Sequence, residues 1–521
     1  MIPATTFAGQ RVAVFGLGAS GLATVQSLLA SGAEVAAWDD GIQSREAAAK
    51  AGAPIVELRT ADWSQFDALV LAPGVPLTHP QPHWTVPLAQ AAGVEIIGDI
   101  EIFCRERSRH APQAPFIAIT GTNGKSTTTA LVTHILAKAG LDVQMGGNIG
   151  RAILTLAPPS VAHPQPAAPP SVAHPQLAAP PSIAAFPSAI QVPTRPPSQH
   201  PARVYVIEMS SFQIDLTPSL NPSIGVLLNI SADHLDRHGP ADDPDLSMRN
   251  YAAIKKRLVV NARTAVIGMD DGLPHPGDLC EPIFHELQHS ARQAMAFVRG
   301  QPSFAEMVYF EGGCLRRRHR LPSAGGYEEV LVDLRTAAAL RGAHNAENAA
   351  AAFLICEMLG VPHDEIGAGI KSYPGLPHRM EEVGRAGNVV FINDSKATNA
   401  DSTEKALASW ERDIFWILGG KQKEGGIASL ERFFPRIAKA YLIGEASEAF
   451  AKTLTGKVTF EHCGTLDVAV TRAAADAKEA KGPEPVVLLS PACASYDQFK
   501  GFDQRGDVYR DLVRMLPGVK P

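Results

Sequence analysis

The stretch that most limits what this chain can fold into is Thr120-Gly121-Thr122-Asn123-Gly124-Lys125-Ser126-Thr127. An apolar run, Phe116-Ile117-Ala118-Ile119, precedes it, and Thr128 to Val132, then Ile135 and Leu136, follow. That order predicts a buried strand, a glycine turn and a helix, the unit from which parallel α/β sheets are built. The two glycines let the backbone wrap a phosphate chain, and the helix start turns unpaired N–H groups toward its oxygens. Lys125 adds a point charge for the outer phosphates, and Ser126 offers a hydroxyl to a magnesium ion. The pattern reads as a cradle for ATP. Its spacing is the shorter form: the usual loop has a glycine where Ile119 stands, whereas Gly121 lies closer to the lysine.

With 521 residues there is room for about three domains. Net charge is -6 and the pI about 6.3, which gives no nucleic-acid footprint. The basic cluster Arg316-Arg317-Arg318-His319-Arg320 reads as a solvated hairpin or loop. The six cysteines lack a C-x-x-C pair, so neither a disulfide framework nor a zinc site is expected, and a reducing cytoplasm fits. Met1-Ile2-Pro3-Ala4-Thr5 lacks the start of a signal peptide. The uncharged run from Val12 to Ala30 is long enough to span a bilayer, but its glycines and polar residues favour a strand, a turn and a soluble helix. No membrane insertion is expected.

Three α/β segments follow one another. Residues 1–108 contain the strand Arg11–Phe15, the turn Gly16-Leu17-Gly18-Ala19-Ser20-Gly21, a helix through Leu28-Leu29, and strands at 34–39 and 67–71. Gly16, Gly18 and Gly21 form a G-x-G-x-x-G, with Asp39 near the distance of a ribose-binding carboxylate. Such a turn suits a phosphate or a close helix–sheet contact. NAD and a UDP pyrophosphate both fit it. Residues 109–374 hold the phosphate loop and strands at 204–208 and 224–229, expected in a parallel sheet covered on both faces. Within them, about 157–202, Ala157 to Gln165 recurs as Ala168 to Gln176, and Ala179-Pro180-Pro181-Ser182-Ile183 starts a third copy. Proline at that density blocks helix and ladder alike, so this insertion is expected to be extended and disordered, with no catalytic role. Residues 375–521 alternate again, with strands at 389–392, 414–418, 440–444 and 486–490.

Several polar residues end strands. Glu208, before Met209-Ser210-Ser211-Phe212-Gln213, is placed to hold magnesium, though a helix-capping or surface role is as good on spacing alone. Asn229-Ile230-Ser231-Ala232-Asp233-His234-Leu235-Asp236-Arg237-His238 could be a metal site, an acid–base pair or, by prior, a polar loop. Lys255, Lys256 and Arg257 read as a solvated basic helix face. Cys493 has no activating histidine nearby in sequence and reads as packing.

Taken together, Gly121 to Thr127, Glu208 to Gln213, Asn229 to His238 and Tyr251 to Lys255 resemble successive motifs of the Mur ligases, relatives of folylpolyglutamate synthase that join amino acids to carboxylates with ATP. The resemblance implies a Rossmann-like N-terminal domain, a central P-loop ATPase domain and a Rossmann-like C-terminal domain. It implies two magnesium ions on Ser126, Glu208, His234 and Lys255, the last as a carbamylated lysine, with Lys125, His234 and Lys255 at the chemistry. Gly342 to Asn348 is similar to a His-Asn-x-x-Asn motif, which implies Asn345 and Asn348 near adenine. Gly375 to Arg379 and Asn393 to Asn399 imply Arg379 on the ATP phosphates and Asp394 on its ribose. Gly18, Ala19, Ser20, Asp39, Gly74 and Asn148 are implied to hold the UDP substrate.

Leu489-Ser490-Pro491-Ala492-Cys493-Ala494-Ser495-Tyr496-Asp497-Gln498-Phe499 resembles the branch of the family that adds D-glutamate to UDP-N-acetylmuramoyl-L-alanine in peptidoglycan precursor synthesis. There Thr398, Lys423, Ser495 and Phe502 are implied to surround D-glutamate, with Lys421 as the alternative to Lys423. A cytoplasmic monomer acting on small molecules is expected. Three rivals stand beside it: a folylpolyglutamate synthase, an NAD-dependent oxidoreductase and a non-catalytic ATP-binding scaffold.

Overall fold

The computed structural model describes residues 1–159, 203–240, 242–269, 279–289, 293–298, 307–319, 327–421 and 426–520. The Pro/Ala-rich insertion from residue 160 onward and Lys423 lie outside the described residues. The chain forms two compact units, residues 1–334 with 343–370, and residues 335–342 with 371–521.

The first unit carries two sheets. Strands β1 (Arg11–Phe15), β2 (Glu34–Trp38), β3 (Ala68–Leu71) and β4 (Glu95–Ile97) make a parallel sheet in the order β2-β1-β3-β4. The run from Val12 to Ala30 resolves into β1, the glycine turn and the helix Ala19–Ala30. Among the described residues no helix is long and apolar enough to cross a membrane.

The second sheet contains β5 (Phe116–Thr120), β6 (Asp142–Gly147), β7 (Arg203–Glu208), β8 (Ile224–Leu227), β9 (Thr264–Met269), β10 (Gln293–Val298), β11 (Val308–Glu311), β12 (Cys314–His319) and β13 (Tyr327–Asp333). Their order is β13-β12-β11-β10-β9-β8-β5-β7-β6. The sheet is parallel from β6 to β11, and β12 and β13 close one edge antiparallel. β5, flanked by β7 and β8, is fully buried, as its unbroken apolar run requires of a central parallel strand.

Arg316 to His319 lie in β12, which forms an antiparallel hairpin with β11, so of the two expectations the hairpin holds, but these side chains are only partly solvated. Arg317 is 3% exposed and forms a bidentate pair with Glu357 at 2.8 and 2.6 Å, which makes its burial tolerable.

The second unit holds β14 (Glu381–Ala386), β15 (Val389–Asn393), β16 (Ile414–Gly419), β17 (Ile437–Ile443), β18 (Phe460–Gly464) and β19 (Val486–Leu489), ordered β14-β15-β19-β16-β17-β18. All neighbours are parallel except β14 with β15. Apolar clusters cover both faces, one around Trp416 and Phe434 and one around Tyr441 and Tyr509. All six cysteines are free and buried. Burial holds the Cys493 thiol up near 12, consistent with packing rather than nucleophilic chemistry.

Candidate active site

The phosphate loop has the expected form. β5 ends at Thr120, the helix Lys125–Lys138 starts immediately after Gly124, and Gly121 and Gly124 have φ of 152° and 83°. Side chains would also collide there. A Cβ on Gly124 would stand 2.3 Å from Asn348 Oδ1, and one on Gly121 2.9 Å from Leu228 Cβ.

Asn229, just beyond β8, fixes the loop from outside: its carbonyl accepts from Thr122 N at 3.0 Å and its Oδ1 from Asn123 N at 2.8 Å. Thr122 Oγ1 also bonds Ser231 O at 3.0 Å and meets Tyr251 Oη at 3.2 Å. Asn229 lies in a quoted motif and Tyr251 opens another, yet nothing in sequence spacing says that both brace this loop.

Lys125 Nζ donates to Gly121 O at 2.8 Å and Thr122 O at 2.7 Å. Ser126 and Thr127 are buried in the first turn. Asn345 and Asn348 lie on the helix Ala343–Met358, which packs along the phosphate-loop helix. Asn348 Oδ1 accepts from Thr128 Oγ1 at 3.1 Å, and its Nδ2 donates to Asn345 Oδ1 at 3.1 Å.

Lys255 is not on a solvated face. It is 1% exposed, and its Nζ donates to Thr120 Oγ1 at 3.2 Å and Gly121 O at 3.0 Å. Burial, then the charge of Lys125, pushes its pKa well below the usual lysine value. Glu208 is likewise 1% exposed, at the end of β7 beside β5. Asn148 Nδ2 donates to its Oε1 at 2.8 Å, whereas its Oε2 is buried with no hydrogen-bond partner. A buried carboxylate oxygen left so is costly unless a cation or donor meets it.

His234 adopts φ 51° and its side chain is largely exposed, 3.7 Å from Asp233. His238 is instead buried, bonded to Ser211 Oγ at 3.0 Å and stacked on Phe212. Among the described residues no group of three or more His, Cys, Asp or Glu side chains is arranged around a metal position. The structure thus gathers Lys125 and Lys255 on one loop carbonyl and leaves His234 open to solvent.

In the first sheet, Gly18, Ala19 and Gly74 are exposed beyond the carboxyl ends of β1 and β3. Asp39 braces the turn: one oxygen accepts from Leu17 N and the other from Gly41 N, each at 2.8 Å. Ser20 Oγ donates to the buried Asp99 at 2.5 Å. A Cβ on Gly21 would stand 1.8 Å from Gly16 O, so that glycine serves close helix–strand packing. Arg237, in the loop after β8, donates to Gly74 O at 3.3 Å and lies over the Phe212 ring.

In the second unit, Asp394 is buried just beyond β15, accepting from Ser490 Oγ at 2.8 Å and Met380 N at 3.2 Å, and burial lifts its carboxyl to about 7. Arg379 Nε is buried without a hydrogen-bond partner. Thr398 follows β15, Ser495 is 2% exposed after β19, and Phe502 opens the helix Phe502–Met515. Lys421 pairs with Ala494 through both backbone groups, and its side chain is exposed.

Comparison with known proteins agrees along the chain. Residues 10–98 match the Mur ligase MurD-like N-terminal domain, 119–276 the Mur ligase middle domain, and 378–493 the Mur ligase glutamate ligase domain. The chain is 51% identical over 521 residues to a UDP-N-acetylmuramoylalanine–D-glutamate ligase of Brucella abortus (strain 2308), covering 100% of this chain and 99% of that one. A protein of the same name from Nitrobacter winogradskyi is 50% identical, with 100% of each covered. Two solved structures share the fold. The UDP-N-acetylmuramate-alanine ligase MurC of Thermotoga maritima has a TM-score of 0.51 at 15% identity, over 96% of this chain and 98% of that one. The MurF ligase of Thermotoga maritima in complex with ADP has a TM-score of 0.50 at 14% identity, over 99% and 100%. The chain belongs to the Mur ligase family.

Proposed function

We propose that the chain is the ATP-dependent ligase that joins D-glutamate to UDP-N-acetylmuramoyl-L-alanine, forming ADP and phosphate, in peptidoglycan precursor synthesis. The observation that carries this reading is full-length identity of about half to relatives bearing that name. The disposition of Lys125, Lys255 and Glu208 around one phosphate loop supports it.

Two anions have to meet, the alanyl carboxylate and the γ-phosphate of ATP, and positive charge has to bring them together. Lys125, now folded onto the Gly121 and Thr122 carbonyls, extends to the phosphates when nucleotide enters. The carboxylate attacks the γ-phosphorus, ADP leaves, and an acyl phosphate results. The D-glutamate amine then attacks that carbonyl, and the C–O bond to phosphate breaks.

The residues present suit magnesium, which takes hard oxygen ligands. The unpartnered Glu208 Oε2, the Ser126 hydroxyl and a carbamate on Lys255 would hold it, with His234, and it would offset phosphate charge. Lys255 fits the modification because burial favours its neutral amine, the form that can add carbon dioxide. Gly18, Ala19 and Gly74 would receive the UDP part, with Ser20 and Asp39 shaping the turn and Asn148 orienting Glu208. Asn345, Asn348, Arg379 and Asp394 would serve ATP, and Thr398, Ser495, Phe502 and Lys423 the amino acid. We assign residues 1–108, 109–374 and 375–521 to these three tasks, in a cytoplasmic monomer.

Phosphate release from ATP and magnesium, measured with UDP-N-acetylmuramoyl-L-alanine and either D-glutamate, L-glutamate or no amino acid, tests the reading. Release should need both the UDP substrate and D-glutamate. Release with a folate and L-glutamate would instead identify a folylpolyglutamate synthase.

A further inference from the structure

Arg505 is among the largest fully buried side chains, 1% exposed; among the described residues no carboxylate is in hydrogen-bond contact with its guanidinium, and the Asp497 charge acts on it only from beyond that range. Burial lowers its pKa only to about 10, so it remains a cation at neutral pH. Every acceptor is neutral. Nε donates to Ser395 Oγ at 3.0 Å, and Nη2 to Ser395 O at 2.9 Å and Cys493 O at 3.0 Å. Nη1 reaches Gly419 O and Ala494 O, each at 3.5 Å. Ser395 Oγ in turn donates to Phe502 O at 2.7 Å.

Those acceptors sit at the carboxyl ends of β15, β16 and β19, neighbours in the sheet: Gly419 closes β16, and Ser395, Cys493 and Ala494 lie in the loops just beyond β15 and β19. The loop that follows each strand carries a residue assigned above to the amino acid or its alternative: Thr398 after Ser395, Lys421 after Gly419, and Ser495 after Ala494. Phe502 lies one helical turn before Arg505 on the helix Phe502–Met515. A buried cation is dearer than an apolar side chain of equal volume, so stability alone is a poor account of it. What the planar fork supplies is geometry, because its five N–H groups reach in fixed directions that a flexible ammonium cannot reproduce. The close quarters leave no slack: a Cβ on Gly420 would stand 2.3 Å from Ala494 O and 3.1 Å from Arg505 Nη1.

We infer that Arg505 is a positioning residue for the incoming amino acid, setting the mutual distances of the Thr398, Lys421 and Ser495 loops and of Phe502. This rests on the ligase reading above. It acts through those loops and touches neither ATP nor the UDP substrate. Its loss is therefore felt as weaker capture of D-glutamate.

The test is steady-state kinetics on the full chain, varying each substrate in turn, for wild type, Arg505→Met, Arg505→Lys and Ser395→Ala. Arg505→Met should raise KM for D-glutamate at least tenfold, with KM for ATP and for the UDP substrate changed less than about threefold. Arg505→Lys should recover part of that loss. Ser395→Ala, which removes the hydroxyl between Nε and Phe502 and is small enough to fold, should raise the same KM several-fold. Circular dichroism and thermal melting establish that each variant is folded, and should Arg505→Met not fold, Ser395→Ala decides. An unchanged KM for D-glutamate in the folded variants, or equal rises for all three substrates, overturns the inference. Absence of D-glutamate-dependent turnover in wild type would instead sink the ligase reading itself.

Discussion

Lys125 and Lys255 donate to the same carbonyl oxygen, Gly121 O, at 2.8 and 3.0 Å. Two ammonium groups sharing one acceptor repel each other, and the buried one has the more to gain by losing its proton. Lys255 is that one, and the charge of Lys125 is the second cause of its lowered pKa. An amine pushed toward its neutral form beside a fixed cation is what carbamate formation needs, because the cation also favours the resulting anion. Lys125→Met should therefore reduce carbamate on Lys255 as well as phosphate binding. Enzyme equilibrated with 13C-labelled bicarbonate should give a carbamate resonance in wild type that is weakened several-fold in the variant. Equal signals would separate the two lysines.

Lys255→Ala should lower turnover by at least a hundredfold, since it removes the carbamate proposed to hold magnesium beside the reacting phosphate. Short carboxylic acids should restore a part of it by occupying the vacated space. Full activity in the unrescued variant would dismiss a role for the modified lysine.

Glu208→Gln should keep the Asn148 contact through one oxygen while removing the charge from the buried, unpartnered position. Turnover should fall by two orders of magnitude or more, and the magnesium concentration for half-maximal rate should rise. Stability should change little or increase, because an unpaired buried carboxylate is a cost to the fold. A variant with unaltered magnesium dependence would remove Glu208 from the proposed metal ligands.

The phosphate loop was legible because everything that defines it is local: an apolar run, two glycines and a helix start within one short stretch. The edges of the same sheet were not. β10 to β13 lie in a region where apolar runs are short and charges frequent, and Arg317 looked solvated because Glu357, its partner, is distant in sequence. Lys255 misled for the same reason. Beside Lys256 and Arg257 it reads as surface, and only the fold turns it under Gly121. Asp39 and Ser20 matched their motif yet spend their polar atoms on Leu17, Gly41 and Asp99. Arg505, whose acceptors come from three distant loops, gave no signal at all.

His238 gives the site a pH dependence of its own. Its ring lies among Phe212, Tyr251 and Ser211, and burial, then the charges of Lys255, Arg237 and His234, pushes its pKa down to about 4, opposed by Asp236. Burial is the larger cause, so the direction holds even when Lys255 is neutral. The unfolded chain, with a histidine near 6.5, binds more protons than the native one between those values. The contribution is thus complete above about 6.5 and is lost as pH falls toward 4. Urea midpoints for wild type should drop between pH 7 and 5, and the drop should be smaller in His238→Gln. Parallel slopes would mean that other groups carry the acid sensitivity.

Two glycines of the first sheet make opposite predictions. At Gly21 an added methyl would meet Gly16 O at 1.8 Å, backbone against backbone, so the helix Ala19–Ala30 would have to move off β1. Gly74 has nothing within 4 Å of the same atom and no positive φ, so the fold tolerates a methyl there. Gly21→Ala should cost about 2–4 kcal/mol through overpacking, lower the melting temperature and raise KM for the UDP substrate. Gly74→Ala should melt with wild type. If its side is where the UDP substrate lies, KM for that substrate alone should rise, because the methyl then meets ligand rather than protein. An unchanged KM in a normally melting Gly74→Ala would move the substrate away from the end of β3, whereas a stable Gly21→Ala would show that the turn has slack the structure does not display.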